Sequence, residues 1–152
     1  MFSFDIRPFD ALTLRELYDI LALRDRVFVV GQKITDEPEV DGLDPRAWHA
    51  QVLDENGLLV ATLRVFLDEV PAVVGRVATE PTRQGQGIGS WMMTQCQAWL
   101  GDRPATMHAQ AHLEGWYGRL GWHAYGEPYL ECGIPHVSMC RPAPSKSQAE
   151  SP

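Results

Sequence analysis

The chain has 152 residues, 45% of them hydrophobic, and this length fits one globular domain that needs neither disulfides nor metals to bury a core. The formal net charge of −7 argues against nucleic acid as a partner and favours cationic substrates. No apolar run is long enough to span a bilayer and no signal peptide is evident, so we expect a cytoplasmic protein without a membrane partner.

The first predicted elements are a strand and a helix. Residues 2–7 alternate Phe and Ile with polar residues, which predicts a strand. Apolar residues at spacings of three and four predict a helix over residues 12–29 with one buried face. The residues predicted to form this face are Leu14, Leu17, Tyr18, Leu21, Val27 and Phe28.

An acidic loop is predicted to follow over residues 31–46. Its core, residues 36–44, carries five carboxylates in nine positions with Pro and Gly between them, which excludes a stable helix. Two interpretations are open. The loop is either solvated surface, or it lines a binding site and favours a protonated amine over an anion.

Three strands and a helix are predicted for the middle of the chain. Residues 48–54 and 58–68 predict strands joined by a hairpin, because the Asn56-Gly57 pair between them readily takes positive φ. Residues 73–80 predict a third strand, so the three form an antiparallel meander. A helix over residues 88–100 then packs one face on the sheet. The residues of that face are Ile88, Met92, Cys96 and Trp99.

Shorter elements complete the chain. Residues 105–109 predict a strand and residues 112–120 a short helix. Residues 122–125 and 135–141 predict two closing strands. Residues 143–152 are rich in Pro, Ser and Ala, which predicts a disordered tail.

A glycine-rich loop connects the third strand of the meander to the helix. Gly85, Gly87 and Gly89 permit unusual φ and ψ and leave room for a ligand to approach the backbone. The unpaired amides at the start of a helix bind phosphate, and Arg76 and Arg83 add positive charge nearby. No Lys-Ser or Lys-Thr follows the loop, and the spacing of a dinucleotide fingerprint is absent. We therefore predict a pyrophosphate site of another kind, the alternative being an ordinary glycine-rich turn.

Two motifs together resemble the GNAT acetyltransferase superfamily. Gln84, Gly87 and Gly89 fit its acyl-coenzyme A pattern, [QR]-x-x-G-x-[GA]. About thirty residues later, residues 116–122 resemble its second signature, roughly [FLW]-Y-x-x-x-G-[FWY]. Finer features look like the ElaA-like branch of that superfamily. They lie in residues 28–30, 39–42, 75–77, 109–113 and 133–136.

The resemblance implies a fold and a reaction. The fold is an α/β (α+β) domain over residues 1–141, with a mixed, mostly antiparallel sheet of six to seven strands, about four helices and splayed central strands. The reaction is direct transfer of an acetyl group from acetyl-CoA to a primary amine. A catalytically inactive acyl-CoA-binding module is the alternative, and a homodimer is open in either case.

The resemblance also assigns residues to the cofactor. The backbone at the end of the third meander strand would pair with the pantetheine arm and hold the thioester oxygen. The glycine-rich loop would grip the pyrophosphate. The residues concerned are Val77, Ala78, Thr79, Arg83, Gln84, Gly85, Gln86, Gly87, Ile88, Gly89 and Ser90.

Direct transfer needs an acid for the departing thiolate and a base for the amine. Tyr117, the tyrosine of the second signature, is implied as the acid, with a core tyrosine whose hydroxyl is satisfied as the alternative. The base stays open between histidine and carboxylate. The candidates for the base are Glu39, Asp41, His49 and His112, with His136 placed below them.

The cysteines are not expected to bind metal or to act as nucleophiles. Cys132, His136 and Cys140 are spaced by four, but they lack the close cysteine pair and the fourth ligand of structural zinc sites. Cys96 lies on the predicted inner face of a helix, where a thiol is inert. We therefore predict acetyl-CoA as a co-substrate and no metal.

Overall fold

In the computed structural model, which describes residues 1–142, seven strands form one mixed sheet in the order β1-β2-β3-β4-β5-β7-β6. The strands are β1 (Ser3–Pro8), β2 (Trp48–Leu53), β3 (Leu59–Phe66), β4 (Ala72–Thr79), β5 (Ala105–Gln110), β6 (His123–Glu131) and β7 (Ile134–Arg141). The helices of the described chain are α1 (Leu14–Arg24), α2 (Ile88–Leu100) and α3 (Glu114–Arg119). The predicted fold class is confirmed, with three α-helices rather than about four. The predicted disordered tail lies outside the described residues.

Helix α1 is shorter than predicted and buries a different face. Thr13 and Glu16 cap its first turn reciprocally, and after Arg24 the backbone continues as a π-helix over Asp25–Gly31. The predicted apolar face is wrong at its start, because Leu14 is 89% and Tyr18 71% exposed. The buried residues of α1 are Ile20, Leu23 and Arg24, on the side that packs against β3 and β4. The buried face is the one that carries Arg24, and the spacing of apolar residues does not predict that this charged side chain is buried.

Helix α2 packs on the sheet as its periodicity predicts. Ile88, Met92 and Cys96 are fully buried, and Trp99 packs at the edge of the same core. Burial raises the pKa of Cys96 to about 12, so this thiol is protonated and inert at neutral pH. No helix within residues 1–142 is both long and apolar enough to cross a membrane.

Strands β4 and β5 begin as neighbours and then separate. They are parallel and pair only at Ala72 with Ala105 and at Val73 with Thr106. Beyond these pairs, β4 runs on to Thr79 and β5 to its own end without pairing with each other. The predicted splay of the central strands is confirmed, and it leaves a wedge-shaped gap with free backbone groups on the β5 side of β4.

A bulge bends β4 where the gap opens. Arg64 of β3 is opposite Gly75, whereas Thr62 is opposite Ala78, so β4 holds one more residue than β3 between these pairs. Arg76 lies in this extra stretch and takes a φ of +51°. Such bulges re-aim backbone and side chains beside binding sites.

Candidate active site

Two cavities open into the gap between β4 and β5. The glycine-loop cavity, with about 1180 Å³ of open space, lies between the end of β4, the glycine-rich loop and α3. The acidic-loop cavity, with about 850 Å³, lies between the β4 bulge, β5, the acidic loop and the β6–β7 turn. Val77 and Tyr117 line both cavities, so the two spaces meet at these residues.

The glycine-rich loop presents free amides to its cavity. Gly85 and Gly87 have φ values of +82° and +78°, and an added Cβ on either would meet nothing within 4 Å. Gly87 caps α2, and its carbonyl accepts the first helical bond, from Trp91 N–H at 3.0 Å. The amides of residues 88–90 therefore have no partner within the helix, and the helix dipole lies behind them.

The third glycine of the loop allows close packing rather than backbone freedom. A Cβ on Gly89 would lie 3.3 Å from Thr79 Oγ1 and 3.4 Å from the Trp116 ring. Trp116 Nε1 donates to Ser90 Oγ at 3.1 Å. The end of β4, the start of α2 and α3 are thus packed as one unit around the cavity.

Ten of the eleven residues that the sequence assigns to the cofactor line the glycine-loop cavity. The exception is Gln86, which instead accepts a hydrogen bond from Arg83 Nε at 3.1 Å. Arg83 lines the cavity, although its guanidinium also pairs with Asp54. The expectation that Arg76 adds charge at this loop is wrong, because Arg76 lines the other cavity and pairs with Glu39.

Tyr117 stands between the cavities on α3. It is 5% exposed, and the Trp116 ring packs edge-on against it with a centroid distance of 4.8 Å. Burial alone raises the pKa of Tyr117 to about 12, so the phenol is protonated at neutral pH. Its hydroxyl has no hydrogen-bond partner among the described residues. A donor that lines a cavity and has no protein partner is available to a ligand.

The structure separates the predicted candidates for the base. His49 is buried in β2 with Nε2 3.0 Å from the Asp44 carbonyl oxygen, and neither cavity is lined by it. Burial is the main cause that lowers the pKa of His49. His112 lines the glycine-loop cavity. Glu39 lines the acidic-loop cavity, but its Oε2 accepts from Arg24 at 2.8 Å and from Arg76 at 2.7 Å.

Much of the acidic loop is neutralised by arginine side chains. Three of its carboxylates form a balanced ion-pair network with three guanidinium groups beneath the β4 bulge. The members are Glu39, Asp41, Asp44, Arg24, Arg64 and Arg76. The solvated interpretation is therefore wrong for this part of the loop. The network ties the loop to α1, β3 and β4 and fixes the floor of the acidic-loop cavity.

Comparison with known proteins assigns the family. Residues 43–141 match the family model described as Acetyltransferase (GNAT) domain. The chain belongs to the GNAT acetyltransferase family. The crystal structure of an acyl-CoA N-acyltransferase from Pseudomonas aeruginosa is 39% identical with a TM-score of 0.83, and the match covers 93% of this chain and 99% of that one. The crystal structure of Escherichia coli ElaA is 32% identical with a TM-score of 0.82, and the match again covers 93% of this chain and 99% of that one.

A third relative is described only as a UPF0039 protein. A UPF0039 protein from Schizosaccharomyces pombe is 35% identical over 143 residues, which are 90% of this chain and 95% of the relative. The GNAT domain and the ElaA relatives confirm the predicted branch. They support an acyltransferase activity for this GNAT protein.

Sequence reasoning missed part of the wall of the acidic-loop cavity in this GNAT domain. His108, Glu131 and Cys132 line it, beside His136, which was placed below the other candidates for the base. Strand β5 pairs with β7, so that Gln110 is opposite His136, and His108 shares their face of the sheet. The alternation along β5 was a usable signal for His108. The pairing of β5 with β7 could not be predicted from local patterns, because the two strands are far apart in sequence.

Within residues 1–142, no group of three or more His, Cys, Asp or Glu side chains is arranged to hold a metal.

Proposed function

We propose that residues 1–141 form an N-acetyltransferase that moves an acetyl group from acetyl-CoA to a primary amine by direct attack. The observation that carries the proposal is the unpartnered Tyr117 hydroxyl at the junction of two cavities, one of which is floored by free helix amides. Membership of the GNAT family supports acyl transfer as the reaction class.

The cofactor lies along the gap in this proposal. The amides of residues 88–90 and the Arg83 guanidinium bind the pyrophosphate. The pantetheine arm occupies the wedge beside β4, where the backbone of Val77, Ala78 and Thr79 is not paired with β5. A backbone N–H of this stretch holds the thioester oxygen and stabilises the oxyanion as the amine attacks.

Tyr117 assists the departing sulfur. A thiol of ordinary pKa, about 8.5, is a far stronger acid than a phenol whose pKa burial raises to about 12. The phenol therefore works best as a hydrogen-bond donor to the developing thiolate rather than by giving up its proton. The proton that finally resides on sulfur then comes from the amine.

The acceptor occupies the acidic-loop cavity. Two carboxylates of its wall, Glu37 and Glu131, lie outside the arginine network that neutralises Glu39. Uncompensated carboxylates near the thioester favour a protonated amine over an anion. We infer that the acceptor is a small cationic amine.

The test is transfer to a panel of amines. The purified protein is incubated with acetyl-CoA and ethylamine, ethylenediamine, spermidine or hydroxylamine, with free thiol followed by a thiol reagent and the product by mass spectrometry. We expect thiol release that depends on both protein and amine, together with an amide product. Binding of acetyl-CoA with no transfer to any amine would instead identify an acyl-CoA-binding module.

Gly87→Val should weaken acetyl-CoA binding about ten- to a hundred-fold, because a charge-assisted phosphate contact is worth about 1.5–3 kcal/mol. The added side chain projects into the open space that the pyrophosphate needs, and Val is strained at positive φ. Calorimetric titration with acetyl-CoA measures the change.

Gly57→Val is the matched control for this variant. Gly57 in the β2–β3 hairpin has the same φ of +78° and equally open surroundings, but it lies outside both cavities. Gly57→Val should lose about as much stability as Gly87→Val and keep the acetyl-CoA affinity of the wild type. Equal affinities for the two variants would contradict the pyrophosphate site.

A further inference from the structure

The acyl transfer proposed above needs a base that none of the four leading candidates supplies at the acceptor. An alkylammonium with a pKa near 10 is almost wholly protonated at neutral pH and must lose a proton before it attacks. His49 is enclosed outside both cavities, and the Glu39 carboxylate is held between two guanidinium groups. Asp41 pairs with Arg64 and lines neither cavity. His112 lines only the cofactor side. The base therefore has to be sought in the wall of the acidic-loop cavity, beside Tyr117.

His136 is a histidine in that wall whose ring is fixed in one tautomer. It lies on β7 with 6% exposure, and its Nδ1 is 2.7 Å from the Ile134 carbonyl oxygen. A carbonyl oxygen only accepts, so Nδ1 carries the proton and Nε2 of the neutral ring keeps its lone pair. The Tyr129 ring stacks on the imidazole with a centroid distance of 5.9 Å and holds its plane.

The lone pair of His136 faces a carboxylate across a small gap. Nε2 is 3.5 Å from Glu131 Oε2, and Glu131 is the last residue of β6, just before the tight turn to β7. His136 Nε2 and Glu131 Oε2 are both hydrogen-bond acceptors when the ring is neutral. They are stable side by side only when a donor binds to them or one of them is protonated. An ammonium N–H meets this need, and so does a proton taken up by Nε2.

We propose that His136 is the general base of the transfer and that Glu131 is a positioning residue that stabilises the imidazolium it forms. Nε2 accepts a proton from the ammonium and passes it to water. The amine lone pair then attacks the thioester carbon, the C–N bond forms and the C–S bond breaks. His136 takes the second N–H proton and delivers it to the thiolate, which Tyr117 stabilises, so that one proton ends on sulfur and one in solvent.

Other titratable and charged groups from every element around the cavity line it together with His136. They are Glu37 and Glu39 from the acidic loop, Arg76 from β4, His108 from β5, and Glu131 and Cys132 from the β6–β7 turn. Tyr129 stacks on its ring and Tyr117 lies at the inner end of the cavity. A pH profile alone therefore does not identify the base, and the test needs a substitution with a chemical rescue.

The decisive variant is His136→Asn, whose amide N–H₂ can still donate to Ile134 while the base is lost. We expect kcat with ethylenediamine to fall about a hundred-fold, with the acidic limb of the kcat/KM pH profile lost. The acetyl-CoA Kd should stay within about two-fold, because the ring lies outside the cofactor cavity. The deficit should shrink with hydroxylamine, a weakly basic amine that needs no deprotonation before it attacks. His123→Asn, an exposed residue of β6 outside both cavities, should behave as wild type.

Glu131→Gln tests the partner without touching the core. Its side chain is half exposed, and we expect kcat to fall about ten-fold, with no further loss when it is added to His136→Asn. Full kcat in His136→Asn, or additive effects of the two substitutions, would overturn the assignment while amide formation by the wild type still supported the proposed function. Absence of transfer by the wild type itself would refute the proposed function and the base together.

Discussion

Tyr117→Phe should lower kcat roughly ten- to a thousand-fold and leave the acetyl-CoA Kd nearly unchanged. The substitution removes one oxygen that makes no hydrogen bond with the described residues, so the packing of α3 is kept. What is lost is the donor that meets the developing thiolate. Steady-state kinetics with a fixed amine, combined with calorimetric titration of acetyl-CoA, separates the two quantities.

Tyr18→Phe is the control for loss of a phenolic hydroxyl. Tyr18 is 71% exposed on the outer side of α1 and lines neither cavity, so its kcat should equal that of the wild type. A Tyr117→Phe enzyme that turns over at full rate would contradict the role of Tyr117. A large loss of acetyl-CoA affinity without loss of kcat would point instead to a packing role.

Asp44→Asn should destabilise the protein by about 3–5 kcal/mol, the cost of breaking a buried ion pair on one side. Asp44 Oδ1 accepts from Arg24 at 2.8 Å and from Arg64 at 2.9 Å, and all three side chains are buried. The neutral amide leaves two buried guanidinium groups with one carboxylate too few. Urea unfolding followed by tryptophan fluorescence measures the free energy of unfolding.

The pH dependence of stability follows from the same carboxylate. Burial alone would raise the pKa of Asp44, but hydrogen bonds from Arg24 and Arg64 and their charges outweigh it and lower the pKa. The stabilisation is therefore present above the ordinary carboxyl pKa and is lost as the pH falls through the lower folded-state value. Asp44→Asn should lose part of this acid sensitivity.

Asp19→Asn is the matched control for the buried network. Asp19 pairs with Arg15 on the exposed face of α1, and such surface pairs contribute about 0–1 kcal/mol. A loss for Asp44→Asn no larger than that for Asp19→Asn would show that the network does not stabilise the loop.

Signals that are local in sequence predicted well the elements that surround the glycine-loop cavity. The bounds of α2 and the glycine-rich loop follow from helical spacing and from glycines that permit positive φ at a helix start. Tyr117 was found through its motif, and the structure adds that the residue is 5% exposed and that its hydroxyl has no hydrogen-bond partner among the described residues. The burial pattern of α1 was not predictable in this way, because Arg24 is buried by carboxylates from a distant loop.

The acidic-loop cavity depends on pairings between residues that are distant in sequence, which composition does not show. Asp44 is 20 residues from Arg24, and no spacing rule in the sequence joins them. His136 reaches the cavity because β7 lies between β5 and β6 in the sheet. The tautomer of His136 depends on the backbone carbonyl of Ile134, and a pattern of side chains does not reveal such a contact. Carboxylate-rich loops look solvated in sequence until their cationic partners are located in space.

The most direct test of the account is calorimetric titration with acetyl-CoA and with an acetylated CoA analogue that lacks the 3′,5′-ADP portion. The account predicts binding of acetyl-CoA in the range of about 1 μM to 1 mM, since typical Michaelis constants lie there, and much weaker binding of the analogue. Absence of acetyl-CoA binding, or equal affinity for both compounds, would contradict the assignment of the glycine-loop cavity to the cofactor.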